Sequence, residues 1–191
     1  SSQSVPEKVL ICAQNSPEWC FAFLGTMRCK AIAVPLDAQS TKKEIEYVIN
    51  DCRPDIVFIS EDKLGMFSDL ELQGARLMTK NDVVLSDDPN IPATDIPMGK
   101  DDETMLINYT SGTTGNPKGV EITFKNMLAQ MHDLRLALKQ ILPPNERMRV
   151  LSILPMNHLF ELTVGFFTFL NHGFSIYYTQ SLKPKDILDV M

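Results

Sequence analysis

Between Tyr109 and Val120 the chain reads Y-T-S-G-T-T-G-N-P-K-G-V. These twelve residues hold four aliphatic hydroxyls (Thr110, Ser111, Thr113, Thr114), three glycines (Gly112, Gly115, Gly119), one proline and one cation, Lys118. Glycines let a backbone turn tightly and aim successive N–H groups at one concave spot, which is how an uncharged loop cradles phosphate oxygens. The hydroxyls add rotatable donors and the lysine adds a point charge. Residues of these types at this density suit a polyphosphate. A Walker loop needs G-x-x-x-x-G-K-[ST] opening directly into a helix. Here Pro117 precedes Lys118, Gly119 follows it, and Val120-Glu121-Ile122 alternates as a strand does. The spacing therefore predicts strand, loop, strand. A ligand-free Ser/Thr/Gly-rich hairpin is the plain alternative, and the length of the string argues against it.

A second string with chemical potential is Leu154-Pro155-Met156-Asn157-His158-Leu159-Phe160-Glu161. His158 follows a predicted strand and a proline, at the head of a helix predicted over Leu159 to Leu170. Open α/β sheets bind their ligands at such a place, and an imidazole there can donate, accept or change charge near neutral pH. Taken alone, His158 reads as a hydrogen-bonded structural histidine. His132 reads as a surface residue. The aspartates Asp87, Asp88, Asp101 and Asp102 read as a solvated acidic loop rather than as metal ligands, and no residue is assigned to a metal.

The elements that must position these strings alternate. Val9 to Cys12 is a short apolar run read as a buried strand. Asn15-Ser16-Pro17-Glu18 announces a helix, with a polar cap, a proline in the first turn and an acid at the positive end of the dipole. Trp19 to Leu24 is apolar almost all round, which predicts burial on most sides. Ala31 to Leu36 is the next strand. Thr41 with Glu44 forms a capping box ahead of Ile45, Val48, Ile49 and Cys52 at helical spacing, and Asp55 to Ser60 is a further strand. Asn81 to Glu103, with Pro89, Pro92 and Pro97, breaks the rhythm and reads as a long surface connection. Thr104 to Tyr109 leads into the phosphate loop as a buried strand. Thr123 then caps a helix with Phe124, Met127, Leu128, Met131, Leu134 and Leu138 on one face, stopped by Pro143-Pro144-Asn145. Arg149 to Leu154 and Phe174 to Tyr178 are strands, and Ser181 caps a last helix through Val190. The alternation predicts an α/β architecture with mostly parallel sheets flanked by helices. Its expected organisation is a first α/β segment over residues 1–80, a Pro/Asp-rich connection over 81–103 and a phosphate-loop segment over 104–191.

Composition narrows the function classes. With 191 residues, 44% hydrophobic and 22% charged, the chain has the make-up of a globular domain. A net charge of -6 with no basic run excludes nucleic acid as a partner. The longest apolar run, Leu159 to Leu170, contains Glu161 and is too short to span a bilayer, although peripheral membrane contact is left open. Cys12, Cys20, Cys29 and Cys52 form no C-x-x-C pair and read as buried thiols of a reducing, cytoplasmic compartment. Ser1 to Lys8 is too polar for a signal peptide. The missing initiator Met and the stop at Met191 inside a predicted helix suggest a piece of a longer protein.

The Tyr109 to Val120 string resembles the phosphate-binding signature of the adenylate-forming, or AMP-binding, superfamily of acyl-CoA synthetases, luciferases and peptide-synthetase adenylation domains. The resemblance covers nearly the whole chain. N-S-P-E-W-C-F-A-F-L-G (Asn15 to Gly25) and A-I-A-V-P-L-D (Ala31 to Asp37) are similar to the upstream helix and strand of acyl-CoA synthetases. L-P-M-N-H-L-F-E resembles the L-P-x-x-H-x-F-E segment of long-chain fatty acid CoA ligases, and the F-D-x-S string usual in peptide-synthetase domains is missing. Met27-Arg28-Cys29-Lys30-Ala31 departs from the L-K-A-G-A common in relatives, a difference expected to affect packing only.

The resemblance implies ATP-dependent activation of a carboxylic acid to an acyl-adenylate, then transfer to the thiol of CoA or of phosphopantetheine on an acyl carrier protein. A medium- or long-chain fatty acid is the implied substrate. It places Thr110, Ser111, Gly112, Thr113, Thr114, Gly115 and Lys118 on the β- and γ-phosphates of ATP with a bridging Mg2+, makes Lys118 and His158 catalytic, and puts Asn157 and His158 beside the acyl carboxylate, reversing the isolated reading of His158. It also implies that the adenine and magnesium ligands and the small C-terminal domain with its catalytic lysine lie beyond residue 191, so that this stretch alone is inactive. Three alternatives stay open: a non-catalytic nucleotide- or partner-binding module, adenylation of a non-fatty acid, and a kinase or NTPase with a variant loop. The last requires a helix directly after Lys118.

Overall fold

The computed structural model describes residues 6–83, 99–110, 117–139, 141, 148–179, 183, 185 and 187. Strands β1 (Lys8–Cys12), β2 (Ile32–Pro35), β3 (Ile56–Ile59), β4 (Arg76–Met78), β5 (Thr104–Thr110) and β6 (Lys118–Thr123) form one sheet in the order β4-β3-β1-β2-β5-β6. Neighbouring strands run parallel except the β5-β6 pair. Because β5 pairs with β2, the stretch after residue 103 extends the sheet begun by the first strands. Strands β7 (Arg149–Ser152) and β8 (Ser175–Tyr178) form a second, two-stranded parallel sheet. This is the mostly parallel α/β architecture that the alternating pattern predicts.

The central strands are buried on both faces, as parallel strands covered by helices must be. Leu10, Ile11 and Cys12 have no exposed surface, and side chains of this kind each contribute roughly 2 kcal/mol through burial. Successive residues serve opposite faces. Leu10, Cys12, Val34 and Leu36 pack with helix α2 (Lys42–Cys52) and the short α3 (Leu64–Phe67). Val9, Ile11 and Ala33 pack with α1 (Pro17–Arg28), the first turn of α4 (Phe124–Leu138) and a π-helix over Glu161–Thr168 that continues into α5 (Phe169–Asn171). Trp19 stacks on Phe23 at 5.3 Å and Phe23 meets Phe167 edge-on at 5.8 Å, joining α1 to the π-helix.

Helix starts follow the expected chemistry. Ser16 caps α1 by accepting from the Trp19 N–H at 3.1 Å, with Pro17 in the first turn. Thr41 and Glu44 form a full capping box on α2, which buries the four expected residues Ile45, Val48, Ile49 and Cys52. Thr123 caps α4.

Several expectations are corrected. Phe21, within the Trp19 to Leu24 run, is 42% exposed, because α1 has one solvent face. Along α4 only Phe124 and Met127 are buried; Leu128 is exposed, since the helix packs on the π-helix through its first turns. The helix ends at Leu138, ahead of the expected Pro143-Pro144-Asn145 stop, which falls outside the described residues. Cys12, Cys20 and Cys52 are buried and burial pushes their thiols up to about 12, 11 and 11, but Cys29, the C-cap of α1, is exposed. Lys30 affects the backbone as well as packing. It sits at φ +57, its N–H donating to Met27 O while the Ala31 N–H donates to Thr26 O. This pair of bonds is the Schellman ending that favours glycine. Asp87, Asp88 and Ser181 lie outside the described residues; Asp101, Asp102 and His132 are exposed. Among the described residues no helix is long and apolar enough to cross a membrane.

Candidate active site

Both notable strings reach the carboxyl edge of the main sheet. Strand β5 delivers Thr110 to that edge and β6 begins at Lys118, with Thr110 and Lys118 directly paired in an antiparallel ladder. A strand thus stands on either side of residues 111–117, and the helix after Lys118 that a kinase or NTPase loop requires is replaced by β6. Ser111, Gly112, Thr113, Thr114 and Gly115 lie outside the described residues.

Alternation assigns the faces. Ile107 and Tyr109 pack with the α2 cluster, so Thr110 and its cross-strand partner Lys118 face the side of the sheet that carries α1 and the π-helix. Both are exposed. The hairpin is moored at its base: the Tyr109 hydroxyl donates to Asp51 Oδ2 at 2.6 Å on α2. Burial, then this bond to a carboxylate, holds the phenol well above its usual range. Gly119, opposite Tyr109, does not serve as the turn glycine its place in the string suggests. A Cβ there would lie 2.8 Å from Ile107 Cγ2 and 3.2 Å from Tyr109 Cζ. Its lack of a side chain makes room for the tyrosine ring that anchors the strand pair.

The second string is held by a residue from the far end of the chain. Asn15, just past β1, donates from Nδ2 to Leu154 O at 2.7 Å and to Ser152 Oγ at 3.3 Å, and its Oδ1 accepts from the Met156 N–H at 2.9 Å. The neighbouring Ser16 supplies the helix cap, so Asn15 is left to grip this segment. Within the segment the His158 N–H closes a turn onto Pro155 O at 3.0 Å, and the Leu162 N–H donates to His158 O at 3.0 Å, starting the helix. His158 is exposed and Asn157 half-buried. Asn157, Asn15, Asp37, Gln39 and Thr179 line a cleft of about 140 Å³. Asp37, which lines this cleft, follows the end of β2, the strand that β5 pairs with.

Beneath the turn is a buried acid. Ser152, 2% exposed, donates to Glu161 Oε1 at 2.5 Å, and Glu161 is itself 5% exposed. Burial pushes this carboxyl above its ordinary range, and the serine bond offsets part of the rise. The helix expected over Leu159 to Leu170 is present but winds as a π-helix over Glu161–Thr168. The Thr163 hydroxyl donates to Leu159 O and Phe160 O, and the Thr168 hydroxyl to Thr163 O at 2.6 Å; such side-chain bonds draw on the carbonyls that a tighter winding would use. A Cβ on Gly165 would sit 2.4 Å from Glu161 Oε1, so that glycine makes room for the carboxyl.

The structure thus brings Thr110 to Lys118, and Asn157 to His158, at one sheet edge. Reading the sequence missed three members of the arrangement: Asn15, taken as part of a helix cap, and Ser152 and Glu161. The signal for Asn15 was present in N-S-P-E-W, where Ser16 alone satisfies the helix start.

A family model described as AMP-binding enzyme matches residues 4–191. The long-chain-fatty-acid–CoA ligase FadD13 of Mycobacterium tuberculosis is 27% identical over 168 residues, 85% of this chain and 33% of that relative. The D-alanine–D-alanyl carrier protein ligase of Staphylococcus aureus is 29% identical over 126 residues, 66% of this chain and 24% of that relative. The crystal structure of ATP-bound MatB from Rhodopseudomonas palustris shares the fold, with a TM-score of 0.76 at 24% identity over 98% of this chain and 38% of that one. The chain spans a third or less of the length of these two curated relatives. The family model covers nearly the whole chain, and the chain belongs to the AMP-binding enzyme family.

Proposed function

We propose that the protein containing this chain activates a carboxylic acid with ATP and passes the acyl group to a thiol. In the first step a carboxylate oxygen attacks the α-phosphorus and pyrophosphate leaves with the electron pair of the broken P–O bond, giving an acyl-adenylate. In the second a thiol of CoA or of a carrier protein's phosphopantetheine attacks the acyl carbon, releasing AMP. Catalysis of such displacements is mostly positioning and charge neutralisation. The pairing of Thr110 with Lys118 at the carboxyl edge, next to the strand whose following turn carries Asp37, is the observation that carries this reading. Thr110, Ser111, Gly112, Thr113, Thr114, Gly115 and Lys118 take the β- and γ-phosphates; Asn157 and His158 take the acid and the approaching thiol.

Among the described residues no group of three or more His, Cys, Asp or Glu could hold a metal ion. The reading gives Mg2+ no ligand on this stretch; when bound, the ion would supply charge neutralisation on the phosphates.

The acid is read as a medium- or long-chain fatty acid, on the L-P-M-N-H-L-F-E string and the similarity to FadD13. The D-alanine ligase keeps an amino acid as the competing substrate. ATP–pyrophosphate exchange by the full-length protein, over fatty acids of graded length and over D-alanine, tests this. Fatty acids are expected to stimulate exchange, and Lys118→Ala to lower it about tenfold, the loss of one charged contact. Exchange with D-alanine and none with fatty acids overturns the substrate; exchange with no acid overturns the activity.

A further inference from the structure

We propose that Asn15 is the positioning residue for the acid-binding half of the site, a role that rests on the activity proposed above and names a device within it. One carboxamide uses both ends on one distant segment: Nδ2 on Leu154 O and Ser152 Oγ, Oδ1 on the Met156 N–H. Those partners flank Pro155 and lead directly into Asn157 and His158, whose own turn is closed by a single main-chain bond from His158 to Pro155. Packing holds this backbone at Met156, which is 1% exposed, but Ile153 and Leu154 before it are exposed. The side chain that satisfies its N–H and C=O groups adds the directional bonds that set how the turn leads on from that anchor.

The hydrogen-bond directions are consistent along the whole chain of groups. The amide N–H of Asn15 donates to Ser152 Oγ, and the Ser152 O–H donates to Glu161 Oε1. Glu161 opens the π-helix that follows His158. The end of β1, the end of β7 and the start of the π-helix are thus tied through one polar run, and His158 lies in the span it encloses. Among its described residues the phosphate hairpin shares none of these bonds, and Tyr109 moors it to Asp51. The two halves of the site are positioned by separate anchors.

The test uses the full-length protein with Asn15→Leu, which removes both the donor and the acceptor at similar volume, and Ser16→Ala, which removes the adjacent helix cap and touches nothing in the turn. Exchange kinetics are measured against acid and against ATP, and protection of the Met156 amide is followed by hydrogen exchange. Asn15→Leu is expected to lower kcat/KM for the acid about tenfold or more, to leave KM for ATP within about twofold, and to lose Met156 protection. Ser16→Ala should leave the acid kinetics unchanged. Equal effects on acid and ATP, or equal effects of the two variants, would show Asn15 to be only a structural residue and overturn the proposal, as would unchanged protection of Met156. A wild-type protein without exchange overturns the activity reading instead, and the Met156 amide then decides on its own whether Asn15 holds the turn.

Discussion

The Thr110–Lys118 hairpin and the turn over residues 152–161 reach the same edge of the sheet by opposite means. In the hairpin Thr110 and Lys118 meet as cross-strand partners joined by one short connection. In the turn the decisive bonds come from Asn15, 137 to 141 positions away. Thr110 and Lys118 are exposed and Tyr109 moors their strand pair, whereas the turn rests on a carboxyl that is 5% exposed. Exposed side chains can be altered at little cost to folding, but a buried polar run cannot lose a member without leaving another unsatisfied.

That contrast predicts unequal costs. The largest is expected for Gly165→Ala, which drives a Cβ into Glu161 Oε1 and Cδ; because the buried carboxyl is also bound to Ser152, a loss of about 2 kcal/mol is expected in urea unfolding. A loss below about 0.5 kcal/mol would mean that Glu161 can leave its place freely. Next comes Tyr109→Phe, which removes the bond to Asp51 but keeps the ring over Gly119. About 1 kcal/mol is expected, with a raised KM for ATP and an unchanged KM for the acid. A shift in the acid KM alone would merge the two halves that the structure separates.

The smallest effect is a difference in pH dependence. Glu161 is raised above its ordinary value near 4.5, so its contribution to stability is present below that value and fades as pH climbs through the raised one. Glu44, held low by the backbone and side chain of Thr41, works in the other direction: its contribution is present above about 4.5 and lost as pH falls. Glu161→Gln should therefore flatten the loss of stability on the rising side and leave the acid side alone, as followed by thermal unfolding across pH. An unchanged profile would place the Glu161 carboxyl in contact with water.

Much of this molecule was legible from residues in order. The helix starts at Ser16, Thr41 and Thr123 depend on a hydroxyl and an N–H a few positions apart. The two-residue alternation after Lys118 identifies a strand and so separates this loop from a Walker loop. Other features depended on neighbours remote in sequence. Gly119 counts as one more turn glycine until Tyr109 lies across it. Cys29 belongs with the other thiols until the end of α1 leaves it exposed as the C-cap residue. Lys30 passes for an ordinary surface cation until its φ of +57 shows that it falls on a left-handed helix ending.

By itself the sequence determined the α/β alternation, the capped helices, the hydroxyl- and glycine-rich string and the family that string indicates, because each depends on spacing along the chain. Only the tertiary structure decided that Asn15 grips the turn before His158, that Glu161 is buried under it and that its helix winds as a π-helix. Those outcomes depend on which groups meet when β1 and β7 come together, and a side chain able to cap a helix or to bridge two segments is committed to one role by the partner folding brings within reach.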